Sequence, residues 1–292
     1  MNDETGSTAK TLDYSVVYSY WKKVTPSILS PYMMEGFGFP ASAGRFRFHA
    51  ESVIVQQLID NAKVDTAGAI LDLGSGVGCW AEFFAQKFKK VIAVEASSPL
   101  FDSMVQRCSS YDNFTPIQGD VLSYEPEGRF SLIFIGGLLM YLNENDVVAL
   151  LNKLKSFLNP GGIILCRETT IRNGTITRGG EYQAVYRSVP TYLNLFNKCD
   201  LTVVKTCLNL PYILMQMGCE LIKKWKASVP ENLQMVPAVG HLAYWGLRLG
   251  NPWITRMPAA VGIDFPELTN HFFLICSGSP LNSSDKTNSD SL

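Results

Sequence analysis

The segment Asp72-Leu-Gly74-Ser-Gly76-Val-Gly78 constrains this chain more than any other. It ends a short apolar strand, Ala69–Leu73, and opens a helical segment, Trp80–Phe88. Glycines let a backbone turn sharply between strand and helix and approach a ligand, and the helix beyond offers free N–H groups. Glu95 closes the next strand, Val91–Val94, at 95 − 74 = 21 residues after the first glycine. In doubly wound nucleotide sites that spacing sets an acid beside ribose hydroxyls.

The alternation continues. Leu100–Arg107 reads as a helix, Thr115–Ile117 and Leu132–Ile135 as strands, and Glu144–Phe157 as an amphipathic helix stopped by Asn159-Pro-Gly-Gly162. Ile163–Cys166 is a fully apolar strand. The pattern predicts an α/β fold, a doubly wound, mostly parallel sheet with helices on both faces. Leu201–Leu208 and His271–Cys276 read as a closing antiparallel pair. The roughly sixty residues between them are too long and apolar for a simple connection, and helices are expected at Tyr212–Lys226 and Ala238–Arg248. The expected organisation is a disordered tail (1–12), an aromatic N-terminal lid (13–50), a core (51–208), a helical cap insertion (209–270), the last strand (271–278) and a second disordered tail (279–292).

Composition narrows the function. The 292 residues carry a net charge of −1, without the basic footprint of a general nucleic-acid binder. Only 17% are charged against 47% hydrophobic, which points to a large apolar pocket, cap or membrane-facing patch. The seven cysteines are loosely spaced, with no CxxC, so neither a disulfide framework nor a structural metal site is expected. No run approaches the ~18 apolar residues of a membrane span, and the N-terminus lacks a secretory core; the expected compartment is the cytoplasm.

A dinucleotide and an adenosyl cofactor compete for the glycine loop. Asp72 would repel a pyrophosphate but can orient an ammonium group, and Gly119-Asp120-Val121 follows the third strand, where an acid can accept from an adenine amino group. With the closing strand pair, Ile70–Gly78, Val91–Ala96, Gly119–Val121, Phe130–Ile135 and Leu158–Leu165 resemble the class I S-adenosylmethionine-dependent methyltransferases. That resemblance implies a seven-stranded Rossmann-like sheet and S-adenosylmethionine as cofactor. It implies that Asp72 and the backbone of Gly74, Ser75, Gly76 and Gly78 hold the methionine end. Glu95, followed by Ala96, would take the ribose, Asp120 and Val121 would flank adenine, and Gly136 would lie beside the methionine part. The stretch Ile135-Gly136-Gly137-Leu138 lacks the Asn/Asp-Pro-Pro-aromatic motif of nucleic-acid amino-methyltransferases, which argues for a small-molecule acceptor and no nucleic acid.

Two stretches are faintly similar to phosphoethanolamine N-methyltransferases. Tyr32–Gly44 is similar to their lid, and Arg167-Glu168, Tyr186-Arg187 and Tyr192 to their residues after the fifth strand, though no His stands among these. The expected acceptor machinery is therefore Glu168, Tyr186, Arg187 and Tyr32, with Arg167, Arg172, Arg178 and Arg187 available to grip an anion. Tyr182 and Tyr186 are read as i, i+4 neighbours on a helix, and Tyr14, Tyr18 and Trp21 as core; His241 and His271 are further base candidates. The expected reaction is N- or S-methylation of an amino acid or related zwitterion, methionine S-methylation being one case. The alternatives are a lipid or quinone acceptor at a membrane touched by 209–270, and a non-catalytic adenosylmethionine-binding protein.

Overall fold

In the computed structural model, residues 11–24, 41–227, 229–234, 236–256 and 266–277 are described. The two expected tails, apart from Thr11 and Leu12, lie outside these residues, as do Tyr32 and most of the lid loop. Leu12 corrects the tail boundary, because it is buried and its N–H donates to Asn143 Oδ1 at 2.7 Å.

Nine strands form one sheet among the described residues: β1 (Ala69–Leu73), β2 (Lys90–Glu95), β3 (Phe114–Gln118), β4 (Phe130–Gly136), β5 (Leu158–Ile171), β6 (Thr175–Arg178), β7 (Ala184–Ser188), β8 (Leu201–Leu208) and β9 (Thr269–Ser277). Strands β3-β2-β1-β4-β5 are parallel. Strand β9 returns antiparallel to β5, and β8 pairs antiparallel with β9, which completes the expected seven-stranded, Rossmann-like order. Strand β5 is longer than expected. It takes in the Asn159-Pro-Gly-Gly162 stretch, and its register against β4 shifts between Phe130 and Leu132 to absorb those residues. Beyond Arg167, its last residue paired with β4, β5 runs on to pair with β7, and β6 pairs with β7 as an added hairpin. Tyr186 therefore sits on a strand and not on the expected helix.

Helices cover both faces. Buried residues of α2 (Ala41–Asn61), α3 (Cys79–Ala85) and α4 (Ser98–Cys108), such as Leu58, Phe84 and Met104, pack on Ile70, Leu132 and Phe134. Those of α5 (Glu144–Lys155) and α6 (Val189–Lys198), such as Leu151 and Phe196, pack on Leu71, Ile133 and Ile164. Alternate residues of each strand thus serve opposite faces, as a two-sided parallel sheet requires. Helix α2 begins at Ala41, inside the segment expected as the N-terminal lid (13–50). An N-terminal helix, α1 (Tyr14–Lys23), precedes it. Between β8 and β9 lie α7 (Leu210–Lys226), α8 (Glu231–Gln234) and α9 (Pro237–Arg256), and α9 packs against α2 and α7. No helix among the described residues is long and apolar enough to cross a membrane.

Gly78 caps α3 in the left-handed region (φ +81°), and an added Cβ would stand 2.9 Å from Met104 Cγ and 3.0 Å from its Cα. Both the strained dihedral and the backbone contact oppose any side chain there. Gly78→Ala should lower stability by about 1–3 kcal/mol, read from the urea midpoint; an unchanged midpoint would contradict this account of the turn.

Candidate cofactor and acceptor site

The carboxyl ends of β1, β2 and β4 open into one pocket, where a doubly wound sheet places its ligands. Gly74, Gly76, Glu95, Ala96, Asp120, Val121 and Gly136 line it, together with Gly137 and Leu138. Residues far apart in the chain meet because the strand order sets β1 between β2 and β4. The glycine loop is tied back to the sheet: the Gly74 and Ser75 N–H groups donate to the Val94 carbonyl at 2.9 and 3.1 Å.

Glu95 is held at both oxygens. Gly76 N–H donates to Oε2 and Ser97 N–H to Oε1, each at 2.8 Å. Burial nevertheless pushes its carboxyl above the usual range, against the pull of those backbone donors. Each oxygen keeps lone-pair capacity for a hydroxyl donor, as a ribose diol would supply.

Asp72 stands behind the pocket wall with Ser75 and Gly78. It is 1% exposed, and its Oδ2 has no hydrogen-bond partner among the described residues. Burial pushes its carboxyl up to about 7, Ser75 opposes the shift, and the Glu95 charge adds to it. A buried acceptor left unpaired costs about 1–3 kcal/mol.

Helix α1 roofs the pocket with Val17 and with Tyr14, Tyr18 and Trp21, the three read from sequence as core. Tyr18 OH donates to Asp120 and Tyr14 OH to Asp146; Ser97 Oγ donates to the Trp21 carbonyl at 2.9 Å. Burial and the Asp146 carboxylate push the Tyr14 hydroxyl up to about 12. The 14/18/21 spacing was a legible sign that one helix face is covered, but periodicity does not say whether core or cavity covers it. Tyr141, which also lines the pocket, packs edge-on against Trp21 with ring centroids 5.2 Å apart.

The expected acceptor residues are placed differently. Glu168 and Arg187 are 0% and 1% exposed and do not line the pocket. Glu168 Oε1 accepts from the Leu138 and Leu139 N–H groups at 3.1 and 3.0 Å, and burial pushes its carboxyl up to about 7. Arg187 donates to the Leu139 and Leu142 carbonyls at 2.8 and 2.7 Å, so its guanidinium is not available to grip an acceptor. Arg167 donates from Nε and Nη2 to the buried Glu51 at 3.1 and 3.0 Å, a part-buried bidentate pair. Burial opposes the Glu51 charge, yet Arg167 and Arg47 together hold its carboxyl below the usual range. Arg172 and Arg178 are exposed. The expected arginine cluster is thus dispersed by the β5–β7 geometry. Tyr186 is buried and joins its hydroxyl to Tyr182, whose own hydroxyl meets that of Tyr141 at 2.8 Å. His271 bonds Thr170 Oγ1 through Nδ1 at 2.7 Å, and the His241 ring lies 4.5 Å from that of Phe46. Neither histidine lines the pocket.

Residues 70–162 match the methyltransferase domain family. The alpha N-terminal protein methyltransferase 1 of Arabidopsis thaliana is 26% identical over 216 residues, 70% of this chain and 76% of that protein. Phosphoethanolamine N-methyltransferase 1 of Triticum aestivum is 28% identical over 138 residues, 44% of this chain but only 27% of that protein's length. Among solved structures, a SAM-dependent methyltransferase from Leishmania major superposes with a TM-score of 0.54 at 19% identity, covering 67% of this chain and 76% of that one. The cyclase SpnF reaches the same TM-score at 11% identity, covering 77% of this chain and 81% of that one, so this sheet also serves other chemistry.

If Asp72 faces the cofactor's ammonium group, it must ionise on binding. Affinity for adenosylmethionine should then rise about 10-fold from pH 6 to pH 8 relative to Asp72→Asn, because a carboxyl titrating near 7 is mostly protonated at the lower pH. Parallel calorimetric profiles for the two proteins would remove Asp72 from the site.

Proposed function

From the premise that this chain is a class I S-adenosylmethionine-dependent methyltransferase, we propose that it methylates the nitrogen of a small organic amine. The observation that carries this reading is the aromatic character of the pocket wall, where Trp21, Tyr18 and Tyr141 face the space between α1 and the sheet. Bound adenosylmethionine supplies an electrophilic methyl group on a sulfonium. There the lone pair of a neutral amine would displace that methyl group from sulfur, the neutral thioether leaving, and the faces of Trp21, Tyr18 and Tyr141 would stabilise the ammonium formed. Such a nucleophile needs alignment and exclusion of water more than a general base. Helix α1 supplies the exclusion, tethered at Tyr14, Tyr18 and the Trp21 carbonyl.

The commitment of Arg167 to Glu51 and of the buried Arg187 to backbone carbonyls removes the reason for expecting a zwitterion or anion held by arginines. Nitrogen is favoured over sulfur because the named activities of two relatives are N-methylations, of protein N-termini and of phosphoethanolamine. A panel of primary to tertiary amines, thioethers, an unblocked peptide and quinols, assayed with methyl-labelled cofactor, tests this. Amines should be labelled with a rate that rises as pH approaches the amine's own pKa. Label confined to thioethers or quinols would end the amine reading, and label confined to the peptide would move the acceptor from a small molecule to a protein terminus.

One feature favours a second reading, an acceptor taken from a membrane surface. On α9, Leu242 and Leu249 are 75% and 77% exposed and Trp245 45%, at spacings that share one helix face. Amphipathic helices with such a stripe lie in the headgroup region. The segment 210–256 contains five Lys or Arg against two Glu. Co-sedimentation with vesicles of phosphatidylcholine and phosphatidylserine, lost in Leu242→Glu/Leu249→Glu, would support it; protein remaining in the supernatant would discard it.

A further inference from the structure

A short 3-10 turn, Leu139–Tyr141, links β4 to α5, and its flanks form one wall of the pocket through Leu138, Tyr141 and Leu142. Two buried charges hold this turn from opposite ends. At its amino end, Glu168 Oε1 accepts from the Leu138 and Leu139 N–H groups at 3.1 and 3.0 Å. At its carboxyl end, Arg187 donates from Nη1 to the Leu139 carbonyl at 2.8 Å and from Nη2 to the Leu142 carbonyl at 2.7 Å. The signs match the turn's own polarity, with an anion at the N–H end and a cation at the C=O end. No ion pair joins the two side chains among the described residues; the peptide groups of the turn lie between them.

Neither charge has another evident task. Glu168 is 0% exposed, with its second oxygen facing Tyr192 OH at 3.4 Å, and the Arg187 guanidinium stands 6.0 Å from the Tyr192 ring centre. Burying two ionisable groups without contact to each other is costly, and it is offset here by four hydrogen bonds to peptide groups of the turn that apolar residues would leave unpaired. What the arrangement does supply is a fixed turn. Four charge-assisted hydrogen bonds determine where Leu138 and Tyr141 meet the pocket.

We propose that Glu168 and Arg187 are a positioning pair for the methyl-transfer site, which clamps the turn after β4 and so sets the wall against which the cofactor is held. Arg187 reaches this turn from β7, in the hairpin added beyond the seven-stranded order. The hairpin is thereby a working part of the cofactor site. This inference rests on the cofactor alone and not on the amine reading, so its test uses binding without any acceptor.

Glu168→Gln keeps the shape and both acceptor lone pairs but removes the charge; Arg187→Lys keeps the charge but not the two-pronged geometry. Amide exchange at residues 138–142 and adenosylmethionine affinity by calorimetry are measured on both, with melting temperature as the control for folding. The expected result is a loss of affinity of about 10-fold in each variant, with faster exchange at Leu138 and Leu139 in the Gln variant. In Arg187→Met the loss should exceed that in Arg187→Lys. A fall in melting temperature with unchanged affinity in the folded protein would show that the pair serves stability only and overturn the proposal. Unchanged exchange at 138–139 in Glu168→Gln would overturn it too.

Discussion

A buried strand must find a hydrogen-bond partner for every backbone group on both edges, and β5 outruns its neighbour β4. The last β4 partner is Gly136, opposite Arg167, yet β5 continues to Ile171. On its other edge β9 follows it from Ile163 to Thr170. The bare edge beyond Gly136 is taken by β7, which pairs through Thr170 and Ile171. Much of the site follows from that one completion. It brings Arg187 to the turn after β4, draws Tyr186 inward, and folds Tyr182 back onto Tyr141 and Tyr20.

The chain has few charges and commits several of them to buried networks. Glu51 binds Arg167 and accepts from Asn209 Nδ2 at 2.9 Å, so α2, β5 and the entrance to α7 meet at one carboxylate. Glu95 and Asp72 spend theirs at the pocket, and Glu168 and Arg187 at the turn. Low charge content in this molecule is therefore no sign of an inert interior.

What was legible in the sequence was local. The glycine loop, Glu95 and the Gly119-Asp120-Val121 turn are each set by a strand end and the few residues after it, so spacing alone located them. The fate of Arg187 depends on carbonyls 45 and 48 residues away, and no pattern within the 167–192 stretch reports that. Tyr182 and Tyr186 stand four apart and imitate a helix, while the short strands β6 and β7 carry too few residues for alternation to overrule it. Tyr18 was misread for a similar reason, because its partner Asp120 lies 102 residues on.

Those separations also order events in time. Helix α1 precedes the sheet in the chain, and its anchors at Asp120, Asn143 and Asp146 lie 102 to 132 residues downstream. Contacts so distant in the chain form late, because the loop between them must close at an entropic cost. On the ribosome the sheet's first three strands emerge before Asp120, and its fourth before Asn143 and Asp146. The roof of the pocket thus precedes its floor in the chain and is among the last parts to take its place.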